Sequence, residues 1–146
     1  MSIGLNLKIT PKTKYIILHQ GEHAKLSKIA IKNSFDKIGK LIVLLSTLGI
    51  KNPPKTGIAY RYNGRVHIAS RVGEYPANRS GNLKDNIDSI RKGEKLYINA
   101  NAEYAKFLED GTKKMRKRQF LIRTIMDTSA IQLMIIENEL DKELNK

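Results

Sequence analysis

Few side chains in this chain are spaced so that they could do chemistry together. The three histidines are His19, His23 and His67. His19 and His23 stand at i and i+4, a spacing that would let two imidazoles share a metal on one helix face. Gly21 interrupts them, and the segment reads His-Gln-Gly-Glu-His rather than the His-Glu-x-x-His of a metalloprotease. No third ligand is suggested elsewhere and there is no cysteine, so neither a metal nor another cofactor is expected. Glu109-Asp110 is a carboxylate pair in sequence only. Adjacent residues on a helix point in different directions and cannot act jointly as acid and base. There is no Gly-x-Ser-x-Gly elbow, and Gly73 and Gly81 are too far apart, with no following lysine, for a phosphate loop. With no nucleophile–base pair, no catalytic residues are expected, and a hydrolytic or toxin-like enzyme has nothing to rest on. His67 reads as a packed or hydrogen-bonded structural residue.

Charge is the stronger signal. Lys plus Arg number 27 against 14 Asp plus Glu, a net charge of +13, and the surplus is uneven. Residues 1–50 carry 8 basic and 2 acidic groups, 51–100 carry 10 and 4, and 101–146 carry 9 and 8. A basic body with an acidic tail suits a polyanionic neighbour or acidic partner surfaces in an assembly; the competing explanation is a surface simply rich in solvated lysine. The run Lys113, Lys114, Arg116, Lys117 and Arg118 could face DNA phosphates or an acidic partner. It holds no aromatic residue to stack on bases, so single-strand recognition is not expected, and a solvated loop leading into a helix is the alternative. No apolar run reaches the length of a bilayer span, and the N-terminus lacks the pattern of a secretory signal.

These residues need a scaffold, and the chain length suits one domain over 1–146. Ile3, Leu5, Leu7 and Ile9 alternate with polar residues and glycine as in a half-buried strand ended by Pro11; Lys14–Gln20 reads as a short helix with Thr13 as its cap. Residues 22–48 predict an amphipathic helix with Ile31, Phe35, Ile38, Ile42 and Leu45 on one stripe. Leu41, Val43, Leu44 and Leu48 widen that stripe, implying deeper burial near its end, and Gly49 with Pro53-Pro54 stops it. Asn63-Gly64 between two alternating segments over 58–70 predicts a type I′ hairpin. Lys95–Ala100 is a strand. Its partner, Asn86–Lys92, is ambiguous, because Leu83, Ile87 and Ile90 also fit helical spacing. A short helix, Ala102–Asp110, brings Tyr104, Phe107 and Leu108 together and closes on Gly111. A C-terminal helix over 121–145 carries the stripe Ile122, Met126, Ser129, Leu133, Ile136, Leu140 and Leu144. The expected fold class is α+β: a small antiparallel β-sheet packed against two long amphipathic helices, with a β-hairpin and an extended loop or arm at 71–83.

That arm, Arg71-Val-Gly-Glu-Tyr-Pro-Ala-Asn-Arg-Ser-Gly-Asn-Leu83, is too long for a turn and too strongly punctuated for a linker. With its surroundings it resembles the head–tail joining, or tail-completion (neck), proteins of tailed bacteriophages. The resemblance runs from Pro53 to Arg123, about half the chain. Its first block is Pro54-Lys55-Thr56-Gly57, His67-Ile68-Ala69-Ser70, Gly73-Glu74-Tyr75-Pro76-Ala77 and Gly81-Asn82-Leu83. The second is Tyr104-Ala105, Leu108-Glu109, Gly111-Thr112, Met115 and Arg118-Gln119-Phe120. Gln119 stands where the family has proline, which would let the last helix begin earlier, and Asp110 stands where it has an aromatic or apolar residue.

The resemblance implies a structural virion protein of the neck, made in the host cytoplasm and without catalytic role. Its partners would be other copies of itself in a ring, usually hexameric, a head-completion or connector protein, and a tail terminator or tail-tube protein. Non-specific contact with packaged DNA is also implied; a membrane is not. Arg71, Gly73, Glu74, Tyr75, Pro76, Ala77, Arg79, Gly81 and Leu83 of the arm, with Tyr104, Leu108, Glu109, Gly111 and Thr112, are the expected interface residues. The rival expectation from charge alone is a small basic nucleic-acid-binding module without sequence specificity.

Overall fold

The computed structural model describes the backbone of residues 2–5 and 23–27, and residues 28–52 and 54–146 in full. Its spine is helix α1, His23–Lys51. Ala30, Ser34, Ile38, Ile42, Ser46 and Ile50 recur every four residues on one face and are buried, with Phe35 beside them. The expected stripe holds at Phe35, Ile38 and Ile42, but the widening near the end does not mean deeper burial. Leu44 and Leu48 point outward, because Ser46 and Ile50 take the inner positions of the last turns. Nor does Gly49 end the helix, which continues to Lys51.

Against α1 lies a three-stranded antiparallel sheet of β1 (Ser2–Leu5), β4 (Ile87–Lys92) and β5 (Lys95–Ala100), in the order β1-β5-β4. Ile3 stands opposite Ile98 and Leu5 opposite Leu96, while Ser89 stands opposite Ile98. Leu96, Ile98 and Ala100 alternate inward on β5 and are buried. The ambiguity over 83–92 resolves into both options in succession: one helical turn, α2 (Asn82–Asp85), then strand β4 with Ile87 in the core and Ile90 outside. Leu7, Ile9, Pro11, the helix expected at Lys14–Gln20 with its Thr13 cap, and His19 lie outside the described residues.

A separate two-stranded sheet, β2 (Ala59–Tyr62) and β3 (Arg65–Ile68), is the predicted hairpin. Asn63 and Gly64 both take positive φ, 49° and 74°, as a type I′ turn requires. Pairing extends beyond the strands, since Gly57 donates its N–H to the Ala69 carbonyl and Ala69 donates to Ile58.

Helix α3, Ala105–Asp110, ends on Gly111 (φ 77°), whose N–H bonds the Phe107 carbonyl. Its inner face is Ala105 and Glu109. Tyr104 and Phe107, expected to pack together with Leu108, lie on the exposed side. The C-terminal helix is two pieces, α4 (Leu121–Asp127) and α5 (Ser129–Leu144), joined at Thr128. The Thr128 hydroxyl donates to the Thr124 carbonyl at 2.7 Å, the back-bonding that bends helices. Gln119 does not join α4; Phe120 occupies its N-cap.

The predicted stripe of this last helix is also displaced. Leu121, Thr124, Thr128, Gln132, Glu139 and Glu143 turn inward, whereas Met126, Leu133 and Leu144 are exposed. The inward polar groups have partners. Gln132 Nε2 donates to Thr128 Oγ1 and to the Ile125 carbonyl, both at 2.9 Å. Glu139 receives Lys37 of α1 at 2.6 Å and Lys142 at 3.0 Å, and these hold its carboxyl below the usual range. A helix can bury its polar side when each group finds a bond there.

Candidate assembly interface

The two sequence blocks, some distance apart in the chain, meet across a groove of about 390 Å³. Tyr60 and Ala69 of the hairpin form one wall; Pro76, Ala77 and Arg79 of the 71–83 segment and Leu83 form the second; Tyr104, Leu108, Met115 and Arg118 complete it. The hairpin and the 71–83 segment are tied by a cation–π contact, with the Arg79 guanidinium 4.1 Å from the Tyr62 ring centre. Tyr60 stacks on His67 at 5.8 Å between centroids, which gives His67 its structural place.

The 71–83 segment is a docked strap and not a free arm. Glu74 is its first clasp. The carboxylate accepts the Thr56 hydroxyl, the Thr56 N–H at 3.2 Å and the Arg71 N–H at 2.8 Å. The Thr56 hydroxyl first, then the Arg71 N–H, hold this carboxyl at about 2. Tyr75 is the second clasp. Its ring lies over Gly49 of α1, where a Cβ would stand 2.5 Å from Cε1. Gly49 therefore serves close approach, not helix termination. Thr124 Oγ1 donates to the Phe120 carbonyl at 2.7 Å, so Tyr75 OH (2.9 Å) and Ser46 Oγ (3.1 Å) both donate to it. Arg123 covers the outer side of the Tyr75 ring at 4.7 Å and donates to the Gly73 carbonyl. Beside the strap, Lys55 donates to the Gly49 carbonyl at 3.0 Å, and burial lowers its pKa against the pull of Glu74.

Glu109 has the most constrained environment of any carboxylate described. It is buried, and its Oε1 accepts the N–H groups of Phe120 (3.0 Å) and Leu121 (2.6 Å) at the start of α4. An acceptor from another element thus caps a helix whose own N-cap residue, Phe120, has no side-chain oxygen. Oε2 is buried without a hydrogen-bond partner among the described residues, and burial pushes the carboxyl above its ordinary value despite the two N–H donors.

The expected interface residues therefore divide. Arg71, Ala77, Arg79, Tyr104 and Leu108 reach the surface or the groove. Pro76 and Leu83 line the groove from buried positions, Glu109 is buried within the chain, and Glu74 and Tyr75 are bound to other segments of it. Gly73 and Gly81 (φ 88° and 85°) and Gly111 shape the backbone, while Thr112 Oγ1 accepts the Met115 N–H at 3.0 Å to close a turn. In the basic run, Arg118 is structural: Nε donates to the Ser70 carbonyl at 3.0 Å and its N–H to the Leu108 carbonyl at 2.7 Å. Lys113, Lys114, Arg116 and Lys117 are exposed with no carboxylate partner among the described residues. Sequence reading missed Tyr60 and the Gly49 seat, and counted Met115 in the second block without placing it at the interface; the alternation of the hairpin could have exposed only Tyr60.

The chain matches no family model, no curated protein and no solved structure. No described helix is long and apolar enough to cross a membrane.

Proposed function

We propose that this chain is a structural virion protein of a tailed-phage neck, one subunit of a homo-oligomeric ring that joins the head connector to the tail tube. One observation carries the reading: both sequence blocks behind the neck resemblance converge on a single groove rimmed by exposed aromatic residues. A fold that spends its buried carboxylate and its strap on rigidity, while leaving Tyr104, Phe107 and Arg79 outward, is built to present a fixed surface. The reading assigns no catalytic role.

Deletion of the strap is a poor test, since it would also remove Tyr75 from the core. The better variant is Tyr104→Ala with Arg79→Glu, which alters the groove rim. The variant should keep a native circular dichroism spectrum and fail to join purified heads to tails, counted by electron microscopy and infectious titre. Undiminished joining would overturn the reading. A nucleic-acid role is favoured only by the four unpaired cations Lys113, Lys114, Arg116 and Lys117. If all four met phosphates, log affinity for duplex DNA would fall with log salt at a slope of roughly −3 to −4. A flat response removes that role.

A further inference from the structure

We infer that copies of this chain associate head to tail, the outer face of the β2–β3 hairpin of one copy seating on the outer face of α5 of the next. The inference rests on the ring reading and names the two faces that would build it.

The first face follows from register. Ala59 stands opposite Ile68 and Arg61 opposite Val66, so these four side chains share one side of the hairpin. On the other side Tyr60 stacks on His67, Tyr62 meets His67 edge-on, and Arg79 lies over the Tyr62 ring. The Ala59–Arg61–Val66–Ile68 side is largely exposed, Val66 at 64% and Ile68 at 48%, although the two also border a hollow with Ile50, Lys51 and Lys55. A two-stranded hairpin is marginal in water unless a face is packed.

The second face is the reverse of the polar side that α5 buries. Leu133, Met134 and Leu144 lie outward, continuing Met126 of α4, with Glu137 and Asp141 among them. From 126 to 144 the chain carries five carboxylates and one lysine, against a net +13 for the whole. Glu139 and Glu143 are taken by lysines, while Glu137 and Asp141 have no ion-pair partner among the described residues. Arg61 on the hairpin likewise has none. An apolar centre edged by arginine thus has its counterpart in an apolar stripe edged by carboxylates.

The two faces sit at different levels along α1, one at its C-terminal end and the other at its middle. The hairpin borders Ile50 and Lys51, whereas α5 is anchored at Lys37 through Glu139. That separation is roughly 20 Å along the helix at about 1.5 Å per residue. Two different, complementary faces held apart on one subunit make a heterologous contact, which propagates until it closes into a ring.

The chain has no cysteine, so introduced thiols report one geometry. Val66→Cys with Leu133→Cys in one chain, oxidised after nuclease treatment, should give a ladder of disulfide-linked multimers. Either single variant should give no ladder. Arg61→Glu in that background should reduce the ladder about tenfold, and adding Glu137→Arg should restore it. A wild type that oligomerises while the double variant gives no ladder overturns this assignment of faces and leaves the ring reading standing. A disulfide within one chain, or a wild type monomeric at every concentration with no ladder, also overturns it. Failure of the neck reading itself shows separately, as undiminished joining by the Tyr104→Ala, Arg79→Glu variant.

Discussion

Replacing Gly49 by alanine sets two physical effects against each other, with opposite signs. Gly49 lies inside α1, where alanine is favoured over glycine by up to about 1 kcal/mol. Helix propensity alone therefore predicts a more stable protein. The new Cβ would lie 2.5, 2.6 and 2.8 Å from three atoms of the Tyr75 ring, closer than packed carbons approach. The ring has little room to retreat, being followed by buried Pro76, bonded at its hydroxyl to Thr124 and covered by Arg123. Overpacking of this kind costs about 1–3 kcal/mol, and losing the Tyr75–Thr124 bond adds about 1 kcal/mol. Packing outweighs propensity, and Gly49→Ala should destabilise by about 1–3 kcal/mol. Urea unfolding followed by far-ultraviolet circular dichroism measures this through the midpoint at constant m-value. In a Tyr75→Ala background the clash is gone, so the same substitution should become neutral or stabilising by up to about 1 kcal/mol. If Gly49→Ala stabilises the chain with Tyr75 in place, the ring is not seated on α1 and the docked strap is wrong.

Glu109→Ala should cost about 2–4 kcal/mol, because it strands the N–H groups of Phe120 and Leu121 in the interior. The same carboxyl has a native pKa raised above 4.5, so the native state holds its proton more tightly than the unfolded chain. Its contribution to stability therefore declines as pH rises from about 4.5 through the native value, and Glu109→Ala should lack that limb in denaturation curves taken across pH. Glu74 has the opposite sign: its contribution is full above 4.5 and lost as pH falls through about 2. Glu74→Gln should flatten stability over that acid window and speed amide exchange at Thr56 and Arg71; unchanged exchange would show that the clasp does not hold the strap. Gly64→Ala meets no neighbour within 4 Å, so only the left-handed backbone (φ 74°) opposes it, at roughly 1 kcal/mol. Faster proteolysis confined to the hairpin would report it.

What the sequence made legible was whatever depended on neighbours in the chain. Asn63-Gly64 announces its turn because both residues must take positive φ, and Gly111 its cap for the same reason. Phe35, Ile38 and Ile42 were readable because a helix with one buried face repeats. The C-terminal stripe misled because periodicity locates an apolar face without saying which way it looks. Lys37, Lys142 and Lys146 satisfy the carboxylates on the inner side, and the pair that ties that side to α1, Lys37 with Glu139, spans 102 residues of sequence. The same limit hid the groove, whose walls come from three separate segments, and the function of Gly49, visible only when Tyr75 is laid over it. Among the expected interface residues, sequence order could not separate Arg79, which faces outward, from Glu109, which caps a helix.

The register of β1 has a consequence for synthesis. Ser2–Leu5 are made well before their partners, Leu96–Asn99. At about 5–20 residues per second, β1 waits roughly 5–20 s for β5 to be synthesised. Over much of that interval α1 is complete, with Phe35, Ile38 and Ile42 facing no sheet. The hairpin can close as soon as Ile68 emerges, since its contacts are local. The nascent chain therefore carries a formed hairpin beside an uncovered helix, and a holding chaperone that binds apolar helices would meet α1 in that window.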